Sequence, residues 1–240
     1  HRPPTTDGPT TEQSLISNPQ SLSTPLTRPY TLALRALLMI ALPVAAATTF
    51  MSPQLIRLLG GPAYLPHGAI ALSIMIWFLP FSFVNGVTQY VLVAVDEAKW
   101  ITRSFAVAFA FNVVFNLIFI PRYSYPAAAI ITILSEIVLM VPFMWVVRRR
   151  VGPVNPLALA WRPALASAAL AVVFALLWGR GPWLLVLLLA AGVYLGVLVA
   201  VGGLTAEDRA LAKRLLPGRN PVTAQTSSIV ALESESQIEI

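Results

Sequence analysis

Trp183–Val201 reads WLLVLLLAAGVYLGVLVAV, a run without a single charge. A helix rises about 1.5 Å per residue and the hydrocarbon core of a bilayer is about 30 Å thick, so about 20 apolar residues make one crossing. A membrane strand would alternate in and out over about ten residues, and this run shows no alternation. Backbone inside a bilayer must satisfy its own hydrogen bonds, so the run is a helix. Working outward, the same criterion finds five more candidate spans: Thr31–Ser52, Ala69–Val95, Ile101–Ile120, Ala127–Val147 and Pro163–Trp178. The fold expected is all-α, a polytopic membrane protein with six transmembrane helices over residues 30–203.

Composition agrees and excludes most soluble chemistry. The chain is 57% hydrophobic and 11% charged, where a soluble domain carries about 25% charged residues. Between Pro29 and Gly203 the only acids are Asp96, Glu97 and Glu136. No cysteine is present, which removes disulfides and thiolate chemistry, and two histidines are too few for a histidine metal site. No cofactor is expected. The net charge of +6 does not point to nucleic acid, because the basic residues flank the spans as the positive-inside rule requires.

Counting those charges orients the chain. Arg2, Arg28, Arg35, Lys99, Arg103, Arg148, Arg149, Arg150 and Arg162 fall on the N-terminal side of the spans, as do Arg209, Lys213, Arg214 and Arg219 after the last one. The other side holds only Arg57, Arg122 and Arg180. Both ends are therefore expected in the cytoplasm. Trp100, Trp145 and Trp161 mark the inner interface and Trp178 and Trp183 the outer one, while Trp77 lies inside a span. Residues 1–29 are rich in Pro, Thr and Ser and are expected to be a disordered tail or a cut linker; the first residue is His, which suggests a fragment or a processed chain. Ser52–Gly68 is expected to carry a short amphipathic helix stopped by Gly60-Gly61-Pro62. Residues 204–218 suggest a basic amphipathic helix on the inner leaflet, in contact with anionic lipid, and 219–240 a disordered tail.

Polar groups inside the spans are the candidate site. Glu136 lies near the middle of the fourth span, where an ionised carboxylate costs about 2.5–3.5 kcal/mol. It must meet a helix partner or a watery cavity, or be protonated. Asn112 and Asn116 share one face of the third span, and Asn85 and Gln89 share one face of the second. Pro80 should kink the second span, and Pro43 and Pro142 interrupt the first and fourth in the same way. Arg35 sits about one turn inside the first span. It either snorkels to the inner headgroups or faces a cavity that receives a phosphate. Gly192 and Gly196 form a GxxxG in the last span, and the fifth is rich in small residues that allow close packing.

The string NVVFNLIFIPRYSYPAAAIITILSEIVLM, Asn112–Met140, resembles the C-terminal lobe of the polysaccharide flippases, a family of the multidrug, oligosaccharidyl-lipid and polysaccharide (MOP) exporter superfamily. The family pattern is an Asn-x-x-x-Asn helix, Ile-Pro-Arg-Tyr, a small-residue turn, then Ala-Ala and Ser-Glu on the next helix. Asn112, Asn116, Ile120, Pro121, Arg122, Tyr123, Ala127, Ala128, Ser135 and Glu136 carry it here. Ser124-Tyr125-Pro126 departs from it, where relatives usually have glycines. The first span and the segment after it resemble the family's seventh helix, and LTAEDRALAKRLL its cytoplasmic ending.

The resemblance implies one lobe of a two-lobe transporter in the bacterial inner membrane, moving an undecaprenyl-diphosphate-linked oligosaccharide by alternating access. It also implies a partner, either a missing N-terminal lobe or a second copy. Arg35, Asn85, Gln89, Asn112, Asn116 and Glu136 would line the pathway. Two alternatives stay open: a cation-coupled drug exporter of the same superfamily, and a truncated lobe that assists glycan export as a structural partner. An enzyme is not expected, because the outer loops hold no Asp or Glu and one histidine.

Overall fold

The computed structural model describes residues 19–203, with side chains from residue 26 onward. The described residues as far as Val201 belong to one compact unit. The amphipathic helix expected at 204–218, the tail after it and residues 1–18 lie outside the described residues. In chain order the elements are α1 (Pro19–Leu59), a 3-10 turn (Pro62–Tyr64), α2 (His67–Met75), a 3-10 turn (Ile76–Phe78), α3 (Leu79–Ala94), α4 (Ala98–Arg150), α5 (Pro156–Leu177) and α6 (Trp183–Ala200). Five helical stretches are long and apolar enough to cross a membrane: Leu26–Leu59, His67–Ala94, Ala98–Arg150, Pro156–Leu177 and Trp183–Ala200.

The 53-residue α4 is a hairpin rather than a rod. Ser124 breaks the helical backbone with φ 55° and ψ −145°, and side chains equidistant from it meet. Asn112 Nδ2 lies 3.2 Å from Ser135 Oγ; in a straight helix those residues would be about 35 Å apart. The rings of Phe105 and Phe143 are 6.3 Å apart and those of Trp100 and Trp145 are 5.1 Å apart. The arms, 98–123 and 125–150, therefore run antiparallel, with Pro121 and Pro126 flanking the turn.

Long α1 departs from expectation. It begins at Pro19, within the segment expected to be a disordered tail, and it continues past Ser52 to Leu59. The amphipathic stretch expected as a separate helix is its last turns, and the stop falls where expected: Gly60 and Gly61 both donate to Ile56 O, and Gly61 takes φ 88°. Pro43 and Pro53 do not interrupt it. A proline leaves the carbonyl four residues earlier without its backbone donor, and here other donors reach both carbonyls. Tyr194 Oη donates to Met39 O at 2.6 Å, and Ser52 Oγ donates to Thr49 O at 3.1 Å. Neighbouring helices and hydroxyl side chains are the usual means of accommodating proline in such helices.

Pro80 does break the ladder. The carbonyl it would have served, Ile76 O, instead accepts the Leu79 N–H, which is the 3-10 step between α2 and α3. Pro142, by contrast, sits inside α4 without a backbone departure. The α5 helix starts seven residues before the expected Pro163, because Asn155 is an N-cap whose Oδ1 accepts from Leu157 N at 3.0 Å and Ala158 N at 3.4 Å.

Two apolar cores flank α1. Tyr30, Leu34 and Leu38 pack with Val84 and Leu92 of α3 and with Leu139, Phe143 and Val147 of α4. Ala46 packs with Ala166, Leu170 and Phe174 of α5 and with Val186, Ala190, Tyr194 and Leu198 of α6. Each buried stripe recurs at three or four residues, one face of a helix. The opposite faces are equally apolar and exposed, as at Leu184, Leu188 and Leu195. Gly192 and Gly196 lie on the exposed face of α6, with nothing near where a Cβ would stand. The GxxxG plays no part in packing among the described residues.

Candidate functional site

Four of the six polar residues singled out in the spans, Asn85, Asn112, Asn116 and Glu136, come together across three helical segments. Asn85 of α3 is 1% exposed. Its Nδ2 donates to the Glu136 backbone carbonyl at 2.9 Å and to Glu136 Oε2 at 2.8 Å. One turn of α3 thereby grips both the main chain and the carboxyl group of the second arm of α4. The neighbouring Ser135 Oγ donates to Thr132 O at 2.8 Å and accepts from Asn112 Nδ2 of the first arm. Asn112 Oδ1 in turn accepts from Asn116 Nδ2 at 2.9 Å, the bond that four-residue spacing on a helix permits. The result is a polar ribbon, Asn85–Glu136–Ser135–Asn112–Asn116, that stitches α3 to both arms of the hairpin.

The ribbon is mostly satisfied from within. Glu136 has met a helix partner, and Asn112, Asn116, Ser135 and Glu136 are each half-buried. Two acceptors, Asn85 Oδ1 and Asn116 Oδ1, are shielded from solvent without a hydrogen-bond partner among the described residues. Interhelical bonds of this type average about 0.6 kcal/mol in membrane proteins, so the set holds register more than it supplies stability.

Gln89 and Arg35 stand apart from it. Gln89 is half-buried one turn along α3 from Asn85. Arg35 is half-buried on α1 beside buried Leu34, whereas the ribbon's bonds run between α3 and α4.

Sequence reading missed three neighbouring contacts. Thr88, on the Asn85 side of α3, donates to Val84 O at 2.6 Å. Its single proton is thereby used, so it accepts from Tyr30 Oη at 2.8 Å. That bond links α1 to the same polar side of α3, and no spacing rule joins residues 58 positions apart. At the open end of the α4 hairpin, Glu97 accepts from Arg150 Nε at 2.8 Å and also from Arg150 Nη2, with Lys99 Nζ 3.4 Å away. The bonds from Arg150, with Lys99 helping, hold the Glu97 carboxyl below the usual carboxylate range. At the turn end, His67 Nδ1 and Tyr125 Oη are 2.9 Å apart. Among the described residues no group of His, Asp and Glu is arranged to hold a metal ion.

No match was found to a curated protein or to a solved structure. Residues 26–118 match the MatE family model, a stretch that runs from α1 to the first arm of α4 and includes Arg35, Asn85, Gln89, Asn112 and Asn116. That similarity to MatE, over less than half of the chain, together with five helices long and apolar enough to cross a membrane, indicates a multi-pass membrane protein.

Proposed function

We propose that this chain is the C-terminal lobe of a flippase that carries an undecaprenyl-diphosphate-linked oligosaccharide from the inner to the outer leaflet of the bacterial inner membrane. Each arm of α4 makes its own crossing in this reading, so the lobe crosses six times with both ends in the cytoplasm. An arm of 26 residues spans about 39 Å, more than the hydrocarbon core requires. The uneven distribution of Lys and Arg supplies the orientation. A second lobe, from another part of the protein or from a second copy, supplies the other wall of the cavity and further cations for the diphosphate.

One observation carries the reading. Asn112, Asn116, Ser135 and Glu136, which bear the resemblance to the flippases, form a single bonded ribbon with Asn85. Polar residues in a span that bond across helices mark a pathway or the joint that moves beside it. The scarcity of acids favours an anionic cargo over a cation-coupled drug exporter: Glu136 is the one carboxylate within the described helical interiors, and Asn85 engages it. The ribbon's internal pairing is the observation that favours the second reading, a lobe that is purely structural in glycan export.

Glu136→Gln separates the two. A glutamine oxygen still accepts from Asn85 Nδ2, so the joint survives while the ionisable group is lost. With expression unchanged, the flippase reading expects lipid-linked glycan export to fall about tenfold, the scale of about 1.4 kcal/mol. Export at the wild-type rate would make the ribbon structural and remove Glu136 from the pathway.

A further inference from the structure

At the open end of the α4 hairpin lies a cavity of about 560 Å³ that the ribbon does not use. Lys99, Arg103, Arg149 and Arg150 line it, with Glu97 as the single carboxylate, so four positive charges face one negative. Glu97 is spent on Arg150 and Lys99. Arg103 and Arg149 have no carboxylate partner among the described residues, and each lies against a tryptophan instead. The Arg149 guanidinium is 3.8 Å from the Trp145 ring centroid and that of Arg103 is 5.5 Å from Trp100. The two indoles touch, 5.1 Å apart and tilted by 59°. Stacking on a ring holds a guanidinium plane while leaving its edge donors open for a planar or tetrahedral anion.

We propose that this cavity binds a phosphate ester anion, supplied by the headgroup of an anionic membrane lipid, with Arg103 and Arg149 as its principal ligands. Its size lies within the range of small-ligand sites, about 300–1,000 Å³. The tryptophans suit the headgroup level, where one side of an indole is apolar and the other wet. The paired Arg fork suits phosphate better than two lysines would, because each guanidinium can give two parallel N–H bonds. Glu97 acts here as a positioning residue: it fixes Arg150 and ties the hairpin ends, which sets the distance between the two indoles. The anion site stands on this geometry alone. Only its lipid source rests on the cytoplasmic placement of this end.

The test uses the full chain in nanodiscs of phosphatidylcholine doped with phosphatidylglycerol, with lipid adducts counted by native mass spectrometry. The wild type should retain phosphatidylglycerol about tenfold over phosphatidylcholine. The preference should collapse in R103Q/R149Q, persist in part in R103K/R149K, and be untouched by R180Q, which removes a cation from the other end. Circular dichroism of each variant should show full helix content, so that a loss of binding is not a loss of fold. A parallel titration with inorganic pyrophosphate in lipid-free detergent reads the second source. Thermal protection by pyrophosphate that vanishes in R103Q/R149Q, without any lipid preference, would keep the anion site and assign it to a soluble phosphate. No preference and no protection would overturn the proposal, as would a lipid preference that survives R103Q/R149Q.

Discussion

Ser124 carries the reversal of α4 in a backbone conformation, φ 55° and ψ −145°, that residues with a Cβ rarely adopt. Such positions cost about 1–3 kcal/mol and persist when their surroundings over-determine them. Here Pro121 and Pro126 on either side, and the arms zipped together beyond them, impose the turn. Glycine has no Cβ to clash, which matches its usual presence at this turn in the resembling family. Ser124→Gly is expected to stabilise the protein by about 1 kcal/mol, read as a higher midpoint of thermal unfolding in detergent. An unchanged or lower midpoint would mean that Ser124 is not strained there.

At the scale of elements, two clamps keep the helices in place. The first is the bond from Tyr194 of α6 to Met39 O of α1, which serves the carbonyl that Pro43 leaves open. Tyr194→Phe keeps the ring and removes the donor, leaving a part-buried carbonyl unpaired at a cost of about 1 kcal/mol. A lower unfolding midpoint and faster amide exchange around residues 39–43 are expected; unaltered exchange there would show that another donor serves the carbonyl. The second clamp, Glu97 with Arg150, closes the ends of the α4 hairpin. The carboxyl has a lowered pKa in the folded state, so its contribution is fully present above the unfolded carboxylate value, about 4.3. It is lost as pH falls through the lower folded value. Acid titration of the wild type should therefore show destabilisation setting in below about pH 4.3 that Glu97→Gln lacks. Identical acid profiles for the two would dismiss the clamp.

For the whole molecule, most of the described basic residues gather at one end of the bundle. The start of α1, the open end of the α4 hairpin and the start of α5 meet there. Thr27 Oγ1 donates to Val151 O at 3.0 Å across the first two of these. The chain has no cysteine, so single cysteines report sidedness without background. Cysteines at Ser124 and Gly181 should react with a membrane-impermeant maleimide in whole cells, and one at Gly152 should not. Labelling at position 152 from outside would invert the orientation and move the basic cavity to the outer face.

The apolar runs, their helical state and the basic bias of one end follow from the sequence alone, because only a helix satisfies a backbone in hydrocarbon and only charge resists burial there. Helix boundaries near turn chemistry were legible as well, as at Gly60-Gly61 and Trp183. Asn112 and Asn116 share a face by spacing, and that too was readable. Which stripe of each helix is buried was not readable, since lipid is as apolar as a protein core and leaves no polar face to contrast with it. Leu198 is buried while Leu195 is exposed, and nothing in the string distinguishes them. The prolines misled for a related reason: whether Pro43 breaks α1 depends on whether a donor from α6 reaches Met39 O. The ribbon from Asn85 to Asn116 and the four-cation cavity both join residues about 50 positions apart. Only the fold of the α4 hairpin against α3, set by side-chain packing and a handful of hydrogen bonds, brings them together.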